Sequence, residues 1–539
     1  MERRVIFMNI KHFKNGTVRS LDDQGRMFSE FIVADGKIVA TGDNVTKWLP
    51  LVEETIDCGG KFIFPAFIES HAHPLHYALQ QRMINCSPSE TSTINDLLLA
   101  VEEKVKVAKE GEWLIGFGWD ESLMKEGRQP TIEELDEVAP NNPLFLKRTC
   151  VHNAVANSKA FEASGLPLTI ENPKGGKFER KNGVLTGLVR ENAMDLFKVP
   201  PVTIEDQKKC WEEAERSFLS WGLTTLHDMA ITKEDLKVYQ QLHREGNLNV
   251  KIRLWLWAND QMGWIGVKDS TYDLGIESHF GDDYLSIQGM KFMLDGSVGG
   301  RTAAVEQPYE NSDGTGILYM DADTIQQQVE TSIAQGLRVA IHGIGERAIE
   351  MALRAIESAA STEQNIKSRH RIEHVALATE EQLKRMAEEG IVAASSTGFI
   401  YSIGDSYLNN LGSKRAARVF PNRTMRNLGV LAPNNSDFPV CDGNPLLGIY
   451  AAVTRKTLNG QSLGTEECLT VDEAFRSYTI DAAKSGCDER LIGSLEVGKY
   501  ADFIMFERDP YNLPPEQLKD LKVQETYVAG ECLFNLRSE

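Results

Sequence analysis

The chain has 539 residues, more than one hydrophobic core organises, so one large domain with one or two smaller ones is expected. Its 42% hydrophobic and 25% charged residues fit a globular protein, and a formal charge of −20 with no long basic run excludes nucleic acid and anionic membrane as natural partners. No stretch approaches the ~20 apolar residues of a membrane span. The apolar part of the start, Val5 to Met8, is too short for a signal-peptide core, and eight scattered cysteines without a CxxC pair read as reduced thiols. The expected compartment is the cytoplasm and the expected partner a small-molecule substrate; a homodimer stays open.

In chain order, residues 1–60 hold short strand-like pieces, and Asp35-Gly36 between two apolar runs predicts a hairpin. Then comes KFIFPAFIESHAHP, residues 61–74, where the run Phe62 to Ile68 predicts one buried strand that Pro74 stops. Side chains alternate along a strand, so His71 and His73 share a face, roughly 6 to 7 Å apart, as the first two ligands of a transition metal would. The next 150 residues or so are too many for a loop. An amphipathic helix at INDLLLAVEEKVKVAKEG, strands at EWLIGFGWD and NPLFLKRTC and a hairpin at KNGVLTG make 81–215 an α+β insertion, expected to sit over the barrel mouth. Within it, Trp119 and His152 are candidates to face the substrate.

Seven further strand signals follow, at 221–229, 251–259, 286–296, 337–343, 369–375, 390–396 and 428–439, and helical patterns separate most of them. Eight alternations of strand and helix predict an α/β fold, a (β/α)8 TIM-type barrel over 61–80 and 216–484, with its active site at the carboxyl ends of the strands. The last segments, 493–510 and 523–535, are again short strands. They are expected to pair with the start into a small β-sandwich built from both chain ends, 1–60 and 485–539.

The polar residues of these strands carry the chemistry. His71 and His73 close strand one, Lys291 interrupts the apolar run of strand four, His342 and His374 close strands five and six, and Asp437 lies at the end of strand eight. Any one of them alone is more often a core histidine or a turn aspartate. Four of only 11 histidines at such strand ends, however, make a metal centre the better reading.

As a set, FPAFIESHAHP, GMKFMLDGSVGGRTAA, VAIHGIGERAI, RHRIEHV, NNSDFPV and GSLEVGKYADFIMFERDP resemble the amidohydrolase superfamily, in the branch of N-substituted formamide deformylases. WLIGFGWDE and HNAVANS extend the likeness over nearly the whole chain. The resemblance implies one or two divalent ions, Zn first with Mn or Fe as alternatives, held by His71, His73, His342, His374 and Asp437. It also implies that Lys291 bridges two metals after carboxylation of its amine. An unmodified ammonium would repel a metal, so the competing reading of Lys291 is a buried lysine paired with Asp295 or another carboxylate, which leaves a mononuclear site.

The expected reaction is hydrolysis of a C–N bond in a small non-peptide amide, of the N-formyl or N-acyl amine type. A metal-activated hydroxide attacks the carbonyl, with Asp437 as general base and then acid and His342 or His374 beside the oxyanion. Arg301 is a candidate for the substrate's carboxylate or carbonyl. His227-Asp228, Glu346-Arg347 and Glu373 are expected as outer partners rather than ligands. One departure concerns substrate: after strand seven the chain reads AASSTGFIYSIGD where related sequences more often carry Gln-Pro. The alternatives are an isomerase, decarboxylase or ester hydrolase on the same barrel, or a catalytically silent binding or regulatory protein.

Overall fold

Turn chemistry sets the first strands: Asp35 and Gly36 both take left-handed backbone (φ 48° and 78°) and join Phe31–Ala34 to Lys37–Thr41 as an antiparallel hairpin. The structure is a computed structural model that describes residues 9–87, 90–121, 124–148, 153–200 and 202–538. The chain divides into two compact units, Met1–Pro74 with Glu212–Glu539, and Leu75–Trp211.

In the first unit seven strands form one parallel sheet: β1 (Phe67–Ala72), β2 (Leu223–Ile231), β3 (Lys251–Trp257), β4 (Leu285–Met293), β5 (Arg338–Gly343), β6 (Arg371–His374) and β7 (Val392–Ser395). Nearly every residue in them is buried, as expected of parallel strands covered on both faces. The intervening helices have defined ends. Thr232 and Asp235 form a capping box before Lys233–Glu245, which stops at left-handed Gly246, and Thr379 with Gln382 does the same for Glu380–Glu388.

The sheet is nearly closed, which is consistent with a TIM-type barrel. Residues 431–438 lie between its two edges. Ala393 N donates to Leu431 O (3.0 Å) and Ser395 N to Pro433 O (2.9 Å) on the β7 side; Asp437 N donates to His71 O (3.1 Å) and His73 N to Phe438 O (2.8 Å) on the β1 side. The eighth strand expected over 428–439 is nonetheless reduced to one isolated bridge, Ser395 to Asn434. Two local causes stand out: Ser436 N bonds to a side chain, Glu69, and Asp437 adopts φ 54°, outside the extended region.

The expected first strand is two strands. Phe62–Pro65 pairs antiparallel with Phe503–Phe506 and parallel with Thr17–Arg19, whereas Phe67–Ala72 enters the barrel sheet. The switch falls at Ala66, whose N–H bonds Asp502 O (3.0 Å), while that of Phe67 bonds Gly222 O (2.9 Å). An apolar run has the same appearance whether it serves one sheet or two.

Both chain ends contribute to a six-stranded sheet, and residues 10–57 also form a four-stranded one. Their aromatic side chains share a core in which Phe13 stacks on Phe31 (4.9 Å between centroids), Phe503 stacks on Tyr527 (4.4 Å) and Phe13 meets Phe503 edge-on (5.1 Å). The second unit is a six-stranded mixed sheet with helices. Thr93 and Asp96 cap Ile94–Val107, and Asn182-Gly183, both with positive φ, turn Gly176–Lys181 into Val184–Glu191. Among the described residues no helix is long and apolar enough to cross a membrane.

Candidate metal centre

β1 carries His71 into the interior, where it is 1% exposed, and His73 follows directly after the strand with its ring centroid 5.8 Å from that of His71. β5 and β6 bring His342 and His374, whose rings lie 4.4 Å apart, and His374 lies 4.6 Å from His71. From residues 431–438 comes Asp437, whose Oδ1 is 3.5 Å from His71 Nε2 and 3.3 Å from His73 Nε2. One ligand atom from each of His71, His374 and Asp437 falls within 4.8 Å of the others, and all three residues are buried.

Hydrogen bonds on the far sides of the rings fix which nitrogens face inward. His71 Nδ1 lies 2.5 Å from Glu373 Oε2; a carboxylate only accepts, so the ring proton sits on Nδ1 and the Nε2 lone pair faces Asp437. Glu373 is itself clasped by Arg371, through Nε to Oε1 (2.7 Å) and Nη2 to Oε2 (2.8 Å), and both residues are fully buried. Burial alone would raise the Glu373 carboxyl, but Arg371 and Lys291 hold it below its usual range. Arg371 also donates to Ser70 O (2.7 Å) and to His227 Nδ1 (3.2 Å), and its guanidinium lies over Trp255.

His342 Nε2 lies 3.1 Å from Gly296 O, so that nitrogen carries the proton and Nδ1 the lone pair. His374 Nδ1 meets Ser396 Oγ at 2.7 Å, and its ring stacks on Phe399. Burial, with Lys291 next in size, pushes His71 well below the ordinary imidazole value and His342 to about 3; burial and His342 do the same for His374. Neutral imidazoles are what metal coordination requires.

Lys291 on β4 is 4% exposed, and among the described residues its amine has no hydrogen bond or ion pair. Burial lowers it to about 8, against the pull of Glu373 and Asp437. Asp295 is not its partner. The Asp295 carboxylate accepts instead from the backbone N–H of Ala304 (2.8 Å), Ile344 (3.0 Å) and Gly345 (2.9 Å) and lies 3.4 Å from His342 Nε2.

These residues fit a divalent cation. Asp437 Oδ1 is buried with no hydrogen bond from the described residues, and it lies 3.5 Å from His71 Nε2 and 3.3 Å from His73 Nε2. A buried carboxylate oxygen left in that state is costly unless a cation completes it. Neutral imidazole with carboxylate is the donor set of zinc and its neighbours.

The remaining expectations fall elsewhere. Arg301 is exposed, with Nε bonded to Asn410 Oδ1 (2.8 Å), and makes no contact with the cluster among the described residues. Trp119 is 1% exposed in a hydrophobic cluster of the second unit, its indole N–H donating to Leu146 O (2.9 Å). An amphipathic ring reads alike in a core or facing a substrate. His152 lies outside the described residues. His227 accepts from Arg371 and Trp255, and Asp228, pushed to about 7 by burial, accepts from Tyr239; neither joins the cluster in these contacts.

The sequence reading missed Glu69. It is fully buried, and its carboxylate accepts from His71 N (3.2 Å), Ser436 N (3.2 Å) and Ser436 Oγ (2.7 Å), while burial pushes it up to about 8. Its place two residues before His71, on the same alternating face, was the available signal.

Buried imidazoles and a carboxylate gathered at the ends of parallel strands form a group that could hold a metal ion. The chain belongs to the amidohydrolase family, whose sequence model matches residues 54–534. It is 30% identical over 532 residues to the N-substituted formamide deformylase of Arthrobacter pascens, covering 96% of each chain. It is 29% identical over 538 residues to the amidohydrolase YtcJ of Bacillus subtilis (strain 168), covering 96% of this chain and 98% of that one. Among solved structures, an uncharacterized metal-dependent hydrolase from Pyrococcus horikoshii OT3 superposes with a TM-score of 0.78 at 27% identity, covering 94% of this chain and 99% of the other.

Proposed function

We propose that this chain hydrolyses the C–N bond of a small non-peptide amide, of the N-formyl or N-acyl amine type, at a divalent metal centre. The observation that carries the reading is the Asp437 Oδ1 atom, buried without a hydrogen-bond donor among the described residues and facing the Nε2 atoms of His71 and His73. The choice of amide rests on the likeness to the formamide deformylase over nearly the full length of both chains. We take residues 431–438 as the eighth position of a (β/α)8 barrel, since they bond to both β7 and β1.

In this reading His71, His73, His374 and Asp437 hold the ion, most simply zinc. Lys291 joins them as a carbamate formed with carbon dioxide. Its buried, unpaired amine with pKa lowered to about 8 is the form that can react, because an ammonium has no lone pair. The metal supplies Lewis-acid polarisation of the carbonyl and a water acidified to a pKa of about 7.

The rest falls to the protein. The Asp437 carboxylate would take the proton of the attacking water and return it to the leaving amine nitrogen, serving as base and then acid. Glu373, clasped by Arg371, keeps the proton of His71 on Nδ1 throughout. His342, with its proton on Nε2 and committed to Gly296 O, offers only Nδ1 to the site.

A panel of N-formyl and N-acyl amines, incubated with protein loaded with Zn²⁺ or Mn²⁺ and assayed for free amine, tests this. Release from at least one compound, abolished by chelator and restored by metal, is expected. Metal-loaded protein that releases no amine from any of them refutes the reaction.

A further inference from the structure

We propose that Glu69 is a positioning residue that locks Asp437 into its working conformation by tying residues 436–438 to β1. The inference rests on Asp437 as a metal ligand and is independent of which substrate the site takes.

Asp437 is a non-glycine residue at φ 54°, left-handed backbone that persists only where neighbours over-determine it. Both neighbours are held. On one side Ser436 is grasped twice by the Glu69 carboxylate, through its N–H (3.2 Å to Oε2) and its hydroxyl (2.7 Å). On the other side Phe438 O accepts from His73 N (2.8 Å), and Phe438 N donates back to Ser436 Oγ (3.3 Å). Between them Asp437 N donates to His71 O (3.1 Å), so the carboxylate ligand and the two histidines share one hydrogen-bonded frame.

Glu69 also accepts from His71 N, so its two oxygens meet donors from β1 and from the Asp437 segment at once. All three of these partners donate, which suits the acceptor oxygens of a carboxylate. A glutamine here would set an NH₂ group against the Ser436 and His71 N–H groups.

The test measures divalent-metal affinity of the metal-free, full-length protein by competition with a chromophoric chelator, using Zn²⁺ alone, beside circular dichroism and melting temperature. Substituting outer partners of metal sites costs about 10- to 100-fold in affinity. Glu69→Gln is expected to weaken Zn²⁺ binding within that range while retaining the fold. Glu69→Asp, which keeps the charge but withdraws the oxygens by one methylene, is expected to fall between Glu69→Gln and the parent. Ser436→Ala, which leaves Glu69 intact but deletes the hydroxyl from the frame, is expected to weaken binding several-fold with little change in melting temperature. It is the deciding variant if Glu69→Gln fails to fold.

Parental affinity in Glu69→Gln or Ser436→Ala, or weaker binding in Glu69→Asp than in Glu69→Gln, overturns the inference. A parent that binds Zn²⁺ but cleaves no amide sinks the proposed reaction and leaves this affinity series valid. The reverse pattern, full amide cleavage with unchanged affinity in every variant, removes Glu69 and spares the reaction.

Discussion

Arg371 and Glu373 form a fully buried charged pair in the barrel, and breaking it has a calculable consequence. Replacing Arg371 by Met removes both donors to Glu373 together with those to Ser70 O and His227 Nδ1, leaving a fully buried carboxylate with His71 as its donor. Breaking a buried ion pair from one side costs about 3–5 kcal/mol, because the survivor is an uncompensated charge in a low-dielectric interior. Glu373→Gln incurs the same kind of cost from the other side. In the double variant Arg371→Met/Glu373→Gln no charge remains, and the chief residue is an unsatisfied Ser70 carbonyl, about 1–3 kcal/mol. The cycle should therefore be strongly non-additive, the double variant losing at least ~3 kcal/mol less than the sum of the singles. Urea unfolding of metal-free protein, followed by circular dichroism and tryptophan fluorescence, measures this without the linkage that bound metal adds. Trp255, 5.1 Å beneath the Arg371 guanidinium, contributes a local signal. Additivity within about 0.5 kcal/mol would refute the claim that these two charges compensate each other.

Three further outcomes are expected. Asp437→Asn keeps the side-chain shape but removes the charge and the proton acceptor, so amide cleavage should fall by at least about 100-fold and Zn²⁺ should dissociate more readily, measured as turnover and as metal retained after dialysis. Lys291→Ala should weaken Zn²⁺ binding at least several-fold in a chelator competition; unchanged affinity would remove the carbamate from the ligand set. Far from the site, burial would raise the Glu473 carboxyl, but the Arg423 guanidinium and Thr470 bring it from 4.5 down to about 2. Its folded pKa lies below its unfolded one, so its contribution is complete above pH 4.5 and is lost as pH falls toward 2. The gap in melting temperature between parent and Glu473→Gln should be widest above pH 4.5 and shrink on acidification, and a gap independent of pH would contradict this.

Much of this molecule was legible before any fold was known, because the signals are local. The Asp35-Gly36 and Asn182-Gly183 hairpins, the capped helices and seven parallel strands follow from turn chemistry and side-chain period, which act over a few residues. His71 and His73 were conspicuous for the same reason, two residues apart at the end of an apolar run. Trp119 and Arg301 carried weaker signals, because an indole or a guanidinium is equally at home in a core, on a surface or in a pocket, and only its surroundings decide. What tertiary structure alone decided were contacts between distant positions. Glu373 reaches His71 across 302 residues and Glu69 reaches Ser436 across 367. The segment 62–72 divides between two sheets because its partners, Phe503–Phe506 and Leu223–Ile231, lie hundreds of residues apart. A ligand's identity is written in its own side chain, whereas its tautomer, its charge and its backbone strain are set by whatever the folded sheet packs against it.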